Sequence, residues 1–352
     1  MAKTLIVYAS FGEGHKRAAF ALKYLPDTQL CDLLSFTHPF LRNIYSLSYL
    51  AITQYFPWLW KGLFFFAKQK LFSSWLNRIN RSIFSKFFKY LRDRRPGTII
   101  VTHFFASSLI ATLKNELNCK VVAVITDLRV HPLWVAECID HYFAALEVTK
   151  RDLINLGVAN DKITFGYVPL RVGFLKKIPI EYLRKKFSLN PRPILIFVSS
   201  LRGRFPYLKA AIKTLVNDFN IFLIYGKNKK LKKCLEDLDS PYIRFFSFYD
   251  QIWEFFSAST IIISKPGGMT IFEGLYKRKP FIFTHYIPGQ ERANMALLIK
   301  YGIARFVRGA EELVAAVHYY NTKSSELQNN YPLEVKDIRK PLLDLIARWG
   351  NA

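Results

Sequence analysis

The fold class is decided by the stretch Thr4-Leu5-Ile6-Val7-Tyr8-Ala9-Ser10-Phe11-Gly12-Glu13-Gly14-His15. A short apolar run with strand character leads directly into a glycine turn, and the pattern predicts a helix that begins near Lys16. A buried strand that turns through glycines into a helix is the opening of a βαβ unit. We therefore expect an α/β protein that is built on parallel sheets.

The same pattern recurs along the chain. The apolar runs are mostly near-continuous Val, Ile, Leu or Phe, which is typical of strands covered on both faces by crossover helices. Strands are predicted over residues 4–9, 98–102, 121–126, 139–144, 194–198, 219–225, 242–246, 260–263 and 280–283. Helices are predicted over residues 17–25, 109–116, 205–217 and 289–301, with a terminal helix over 334–349.

Strand signals are sparse over residues 166–186, which contain Pro169, Gly173 and Pro179. We place an interdomain linker near residues 172–180 for that reason. The expected organisation is an N-terminal domain over 1–172, a second domain over 173–333 and a C-terminal helix within 334–352. The length of 352 residues agrees with two domains at about 150 residues each.

Composition limits the classes of function. Apolar residues are 51% of the chain and aromatic residues 16%, which excludes a disordered protein. The net charge of +25 favours anionic partners: nucleic acid, phosphorylated metabolites or acidic lipid. The four cysteines are scattered and form no CxxC pair, so the sequence favours neither a zinc site nor a disulfide framework, and a reducing compartment fits best.

The N-terminal sequence does not have the pattern of a secretory signal peptide. The most apolar stretch, residues 40–66, carries Arg42, Pro57 and Lys61 and falls short of the roughly 20 uninterrupted apolar residues of a membrane span. We expect the protein to be made and kept in the cytoplasm.

Imidazoles follow strands of the first domain. His15 follows the first strand, where open α/β sheets bind ligands, so it is a candidate general base. Capping or packing is the alternative role for it. Asp127 and His131 follow the strand at 121–126. They orient His15, bind a substrate hydroxyl or hold each other, or else they are a helix cap and an incidental histidine. His103 is a third imidazole at a predicted strand end.

Two turns of the second domain carry ligand-binding chemistry. The first is Ser264-Lys265-Pro266-Gly267-Gly268-Met269-Thr270, where adjacent glycines before a helix make a diphosphate cradle. Glu273 follows, either as a capping-box partner of Thr270 or as a carboxylate that holds both hydroxyls of a ribose. The second turn contains Gly289, Gln290, Glu291 and Asn294. Two such turns at neighbouring strand ends favour a nucleotide-sugar site.

These motifs together resemble the bacterial and plastid diacylglycerol glycosyltransferases, namely the monogalactosyldiacylglycerol synthases and the processive diacylglycerol glucosyltransferases, and more distantly the lipid II transferase. The matching motifs, which occur in the family order over about residues 4–305, are Phe11-Gly12-Glu13-Gly14-His15 with Ala18-Ala19, Thr126-Asp127-Leu128 with His131 and Trp134, Gly166-Tyr167-Val168-Pro169 with Arg171 and Phe174, the Ser264–Thr270 turn with Glu273, and Pro288-Gly289-Gln290-Glu291 with Asn294.

The resemblance implies a GT-B fold, with two Rossmann-like domains whose parallel sheets face a central cleft. It implies that the N-terminal domain takes the lipid acceptor and docks on the membrane, that the C-terminal domain binds the UDP-sugar, and that the C-terminal helix crosses back to the N-terminal domain. It implies inverting transfer of galactose or glucose from a UDP-sugar to the sn-3 hydroxyl of diacylglycerol, giving a β-glycosyldiacylglycerol. No metal and no tightly bound cofactor are expected. The alternative is a UDP-sugar transferase that acts on another lipid or on a soluble acceptor.

The resemblance also assigns residues. His15 matches the catalytic base, and Asp127 either supports it or contacts the acceptor. The acceptor side is expected to contain Phe11, Gly12, Gly14, His131, Trp134 and Pro169. The UDP-sugar side is expected to contain Ser200, Arg202, Phe248, Lys265, Gly267, Gly268, Thr270, Glu273, Gly289, Gln290, Glu291 and Asn294. The loop at residues 199–204 departs from the family because it has a single glycine, so Arg202 or Arg204 replaces backbone phosphate donors there or donor binding is altered.

A membrane surface is the expected site of action. Residues 38–66 are dense in aromatic side chains, and residues 61–95 carry ten Lys or Arg and one acid. Aromatic anchors beside a polybasic stretch suit an anionic bilayer, so we expect peripheral binding at the cytoplasmic face of the cell membrane. The alternative is that the aromatic residues are core and the charges a solvated helix face. No zinc-finger, RRM or KH signature is present, and nucleic acid is not an expected partner.

Overall fold

A computed structural model describes residues 3–10, 13–38, 82–113, 116–198, 206–238 and 240–350. Most of the expected membrane-docking stretch and the whole of the loop at 199–204 lie outside these ranges. The chain divides into two compact units. Unit 1 contains Met1–Arg171, Ile287–Gln290 and Val335–Ala352, and unit 2 contains Val172–Tyr286 and Glu291–Glu334.

Unit 1 is built on a parallel sheet. Its described strands are β1 (Thr4–Tyr8), β2 (Thr28–Asp32), β3 (Thr98–Val101), β4 (Lys120–Val124), β5 (His141–Ala144) and β6 (Ile163–Phe165), in the order β2-β1-β3-β4-β5-β6. The helices between them are α1 (Glu13–Ala21), α2 (Ser85–Arg94), α3 (Phe104–Ala111) and α4 (Glu147–Asn155). Single 3-10 turns occur at Leu33–Phe36, Pro132–Trp134 and Asn160–Lys162.

Both faces of this sheet are covered. Alternate side chains of a strand point to opposite faces, and β1 divides in this way. Leu5 and Val7 belong to one apolar cluster, whereas Ile6 and Tyr8 belong to another. The strands are therefore near-continuously apolar because both of their faces are buried, as predicted.

Unit 2 repeats the architecture. The two-residue strand β7 (Tyr167–Val168) still belongs to unit 1. The described strands of unit 2 are β8 (Ile194–Val198), β9 (Asn220–Ile224), β10 (Ile243–Phe246), β11 (Ile261–Ser264), β12 (Phe281–Phe283) and β13 (Ala304–Phe306). They are parallel, in the order β10-β9-β8-β11-β12-β13. The helices of this part of the chain are α5 (Ile180–Lys186), α6 (Pro206–Leu215), α7 (Lys229–Leu235), α8 (Ile252–Ala258), α9 (Gly268–Tyr276), α10 (Gln290–Lys300), α11 (Ala310–Thr322) and α12 (Ser324–Asn329), with a 3-10 turn at Val172–Leu175. The α/β class and the two Rossmann-like sheets are thus as predicted.

The C-terminal segment belongs to unit 1. Its first residues were expected to be helical but form β14 (Lys336–Asp337), which pairs with β7 through a hydrogen bond from the Lys336 N–H to the Gly166 carbonyl. The helix α13 (Arg339–Gly350) follows. Its Leu342 and Leu345 share an apolar cluster with Ile6 of β1.

Besides the two-residue strands β7 and β14, three strands were missed, and these three share a position. β2, β6 and β13 each lie at the edge of a sheet, and only one residue in each is buried. An edge strand is half exposed, so it lacks the continuous apolar sequence by which the central strands were recognised.

Two helices begin earlier than predicted. Helix α1 begins at Glu13, so His15 lies in its first turn and not in the loop before it. Helix α3 covers Phe104–Ala111, where the prediction was residues 109–116, because the His103 side chain caps it. No helix in the described ranges is both long and apolar enough to cross a bilayer.

Candidate active site

His15 is held at the carboxyl edge of the first sheet by two neighbouring strands. Its Nδ1 lies 2.8 Å from the carbonyl oxygen of Thr102, which follows β3, and 3.0 Å from Oγ1 of Thr126, which follows β4. The Thr102 hydroxyl donates to the carbonyl of His15 at 3.1 Å. Because β1, β3 and β4 are adjacent in the sheet, three strand ends converge on this imidazole.

These contacts indicate the tautomer of the neutral ring. A carbonyl oxygen only accepts, so Nδ1 of His15 carries the hydrogen and donates it to Thr102. The lone pair then lies on Nε2, and an unprotonated nitrogen is what a general base requires.

His103 and His131 have the opposite arrangement. Nδ1 of His103 accepts from the Phe105 N–H at 3.0 Å, and Nδ1 of His131 accepts from the Leu133 N–H at 3.1 Å. Each ring caps a helical turn and must keep a lone pair on Nδ1 to do so. Burial, with the nearby His15 as a smaller cause, lowers the pKa of His131 to about 4 and holds the pKa of His103 well below its usual 6.5. Both rings are therefore neutral at physiological pH.

The loop after β4 carries Asp127 and is fixed by helix α4. Arg129 forms a two-pronged ion pair with Asp152 at 2.7 and 3.0 Å, and Asp152 also accepts from the Val130 N–H. The buried Thr149 hydroxyl donates to the Leu128 carbonyl at 2.7 Å. Asp127 itself is half buried. The sequence prediction that gives it a supporting or acceptor-contacting role stays a prediction.

Three expected acceptor-side residues have clear positions. Trp134 is fully buried, with its ring edge-on to Phe104 at 6.2 Å, and Pro169 is buried as well. Both residues are buried, and the expected role of each on the acceptor side stays a prediction. Gly14 is exposed in the first turn of α1, and a Cβ there would meet no atom within 4 Å.

In unit 2, the turn after β11 has the features of an anion site. Helix α9 begins at Gly268 with Gly267 as its N-cap, and no side chain caps it. The first backbone N–H groups of such a helix suit a phosphate. Lys265 forms an ion pair with Glu291. The pair lies next to this turn: a Cβ added to Gly267 would be 3.7 Å from the Lys265 Nζ and 3.9 Å from the Glu291 Oε1.

The start of α9 also excludes the capping box. With Gly267 at the N-cap, Thr270 lies inside the first turn, so Thr270 and Glu273 do not occupy the two positions of that motif. Glu273 is 1% exposed. Of the two roles considered for Glu273, ribose binding remains as a prediction.

Helix α10 is attached to the turn after β11 by a buried side chain. The amide of Asn294, a fully buried residue, donates to the Pro266 carbonyl at 3.3 Å, which links α10 to the turn after β11. Gly289 has a φ of 102°, a left-handed conformation that favours glycine, and Gln290 begins α10. Beside them burial lowers the pKa of His285 to about 4.

Phe248 is 61% exposed in the loop that follows β10. The neighbouring Tyr249 donates to Glu254 at 2.5 Å, and Lys186 donates to both oxygens of Glu254 at 2.8 and 3.1 Å. These contacts fasten the loop to helices α5 and α8. An exposed aromatic ring on an anchored loop can stack on a base.

Four expected site residues, Phe11, Gly12, Ser200 and Arg202, lie outside the described residues. Within the described ranges, no three His, Cys, Asp or Glu side chains are grouped as a metal site requires.

Comparison with known families places the chain. The profile of the monogalactosyldiacylglycerol (MGDG) synthase family matches residues 15–168, and that of the glycosyltransferase family 28 C-terminal domain matches residues 204–337. The N-terminal part of the chain is thus similar to the MGDG synthases, and the C-terminal part to the C-terminal domain of glycosyltransferase family 28.

Curated relatives of this glycosyltransferase agree with the profiles. The processive diacylglycerol beta-glucosyltransferase of Bacillus cereus (strain G9842) is 28% identical over 331 residues, which cover 89% of this chain and 84% of the relative. That of Bacillus thuringiensis (strain Al Hakam) is 27% identical over the same shares.

Solved structures confirm the GT-B fold. Acinetobacter baumannii MurG has a TM-score of 0.63 at 14% identity and covers 98% of this chain and 99% of its own. The UDP-GlcNAc 2-epimerase of Neisseria meningitidis, solved with UDP-GlcNAc bound, has a TM-score of 0.59 at 16% identity. The match covers 98% of this chain and 99% of the epimerase chain.

Sequence reasoning missed the partners of His15. Thr126 was quoted only as the residue before Asp127, and Thr102 only as a strand end. Both threonines follow a buried strand, as His15 does, and this shared position in the sequence could have indicated that they lie near it.

Proposed function

We propose that this chain transfers galactose or glucose from a UDP-sugar to the sn-3 hydroxyl of diacylglycerol and forms a β-glycosyldiacylglycerol. The observation that carries the proposal is the placement of His15. Nδ1 of this ring lies beside oxygen atoms of Thr102 and Thr126, so the lone pair of the neutral ring is on Nε2, the atom that acts as the base.

In this mechanism His15 removes the proton of the acceptor hydroxyl as its oxygen attacks the anomeric carbon. Attack opposite the diphosphate inverts an α-linked donor into a β-glycoside. Neutral His103 and His131 favour this step, because they add no positive charge beside the ring that receives the proton.

The leaving diphosphate is held by unit 2. The uncapped start of α9 at Gly267 and Gly268 supplies N–H donors and the positive end of the helix dipole, and Lys265 supplies a charge. Glu273 holds the ribose hydroxyls, backbone near Phe248 reads the uracil edge, and Gln290, Glu291 and Asn294 form the wall next to the sugar and phosphates.

Peripheral membrane binding at the cytoplasmic face is part of the proposal. Helix α2 is the described end of the polybasic stretch. Its Phe87 and Leu91 are buried, whereas Lys86, Lys89 and Arg92 are exposed. Its phenylalanines Phe87 and Phe88 are therefore core residues, and its outer face is cationic. Such a face suits anionic lipid headgroups.

A product assay tests the function. Purified protein is mixed with diacylglycerol in anionic vesicles and, separately, with UDP-glucose, UDP-galactose and UDP-N-acetylglucosamine. We expect a β-glycosyl lipid from UDP-glucose or UDP-galactose. Transfer to a soluble acceptor in the absence of lipid, with no lipid product from any donor, would contradict the proposal.

A further inference from the structure

Thr126 supplies one of the two oxygen atoms beside Nδ1 of His15. The other is the main-chain carbonyl of Thr102, which every residue type would provide, so Thr126 is the side chain at this position that a substitution can remove. β3 and β4 are paired with Val101 opposite Ala123, and residues 102 and 126 therefore lie past the same edge of the sheet.

The hydroxyl lies in a place where water does not compete with it. Thr126 is 3% exposed, and Thr102 on the neighbouring strand end is fully buried. A buried polar group is retained where its hydrogen bonds are made, and interactions are stronger there than at a wet surface. The backbone of His15 is fixed separately by the Thr102 hydroxyl, so the contact with Thr126 acts on the ring.

We infer that Thr126 is a positioning residue for the transfer reaction, which holds the His15 imidazole with Nδ1 protonated and Nε2 directed to the acceptor hydroxyl. The inference rests on the proposed role of His15 as the base. When Nε2 takes the acceptor proton, the ring becomes an imidazolium whose positive charge is shared with Nδ1. Two oxygen atoms next to Nδ1 then stabilise this charge and keep the plane of the ring.

The chain offers a matched set of variants. Thr126→Val keeps the shape of the side chain and removes the oxygen, whereas Thr126→Ser keeps the oxygen. Thr98→Val makes the same change in a buried threonine at the opposite end of β3 and serves as the control. Thr126→Ala is the second variant if valine prevents folding.

Kinetics give the first readout. We expect Thr126→Val to lower kcat about tenfold, which is the size of a lost hydrogen bond to a charged group, and to leave KM for both substrates within about twofold. Thr126→Ser restores kcat, and Thr98→Val leaves it unchanged. A serine variant as impaired as the valine variant, or a valine variant with normal kcat, would overturn the inference.

Ring nitrogen NMR gives a second readout that needs no turnover. In protein labelled with 15N-histidine, with His15 assigned by its loss in His15→Gln, we expect the His15 signals to show a protonated Nδ1 and a bare Nε2. Thr126→Val is expected to shift them and to leave the other histidines in place. Unchanged His15 signals in that variant would refute the positioning role, whether or not the protein makes a glycolipid. A changed ring in a protein with no lipid product would instead reject the proposed function alone.

Discussion

The imidazole rings of His15 and His103 meet edge to face, with centroids 4.3 Å apart and planes at 71°. His103 in turn stacks on Phe104, whose ring also contacts the ring of His131 at 4.6 Å. The base is thus packed against rings that are neutral. Neutral neighbours add no positive charge beside the ring that takes the proton.

Replacement of the base gives the most direct prediction. His15→Gln removes the imidazole, and we expect turnover to fall at least about 100-fold because the acceptor hydroxyl is a poor nucleophile without a base. Circular dichroism and the thermal midpoint, which report folding, should match those of the wild type. Near-normal turnover would remove His15 from the base role.

Stability should depend on pH through the capping histidines. An unfolded imidazole titrates near 6.5, and the folded His131 titrates at about 4. Between these values the unfolded state binds more protons, so stability falls as the pH is lowered from about 6.5 towards 4, by up to about 1.4 kcal/mol per pH unit for one group.

Matched variants isolate the part of the pH dependence of stability that comes from His131. His131→Asn keeps an oxygen acceptor for the Leu133 N–H, and the fall of the thermal midpoint with pH should become shallower. His318→Asn, at an exposed position, should leave the slope of the wild type unchanged. Equal slopes in all three proteins would show that His131 is not kept neutral by the fold.

Donor binding should depend on Glu273. Glu273→Gln keeps the size of this buried side chain and removes its charge, and we expect the Kd for UDP, measured by calorimetry, to rise at least about tenfold. The exposed Glu236→Gln is the control and should bind UDP as the wild type does. Unchanged affinity in Glu273→Gln would count against the ribose assignment.

Helix α9 lies against its sheet at Gly274. A Cβ there would stand 2.3 Å from Cζ of Phe281 and 2.9 Å from Cδ1 of Ile262, closer than any side chain tolerates. Gly274→Ala should lower the free energy of unfolding by about 1–3 kcal/mol in urea titrations. Gly97→Ala, whose Cβ would have an ordinary 3.5 Å contact with the Lys3 carbonyl, should cost less. Equal stability of the two variants would contradict the close packing of α9.

Membrane binding should be salt-dependent. Raising salt from about 0.1 M to about 1 M shortens the screening length from about 10 Å to about 3 Å, and we expect the protein to leave anionic vesicles in a sedimentation assay. Zwitterionic vesicles should retain little protein at either salt concentration. Binding that ignores salt would indicate aromatic insertion as the dominant force.

The amino-acid sequence by itself determined the central strands and the turns that carry chemistry. Continuous apolar runs such as Ile194–Val198 occur because parallel strands are covered on both faces, and the adjacent glycines Gly267 and Gly268 mark a turn whose helix begins with backbone N–H groups suited to an anion. The edge strand Ala304–Phe306 was not predicted, since its exposed residues interrupt the apolar pattern.

Only the tertiary structure decided which groups meet. Thr102 and Thr126 are 87 and 111 residues from His15 along the chain, and the pairing of β1 with β3 and of β3 with β4 brings them to one nitrogen. Burial likewise made Trp134 a core residue and kept His103 and His131 neutral. Burial and hydrogen-bond geometry depend on neighbours that are distant in sequence, and local pattern carries no record of them.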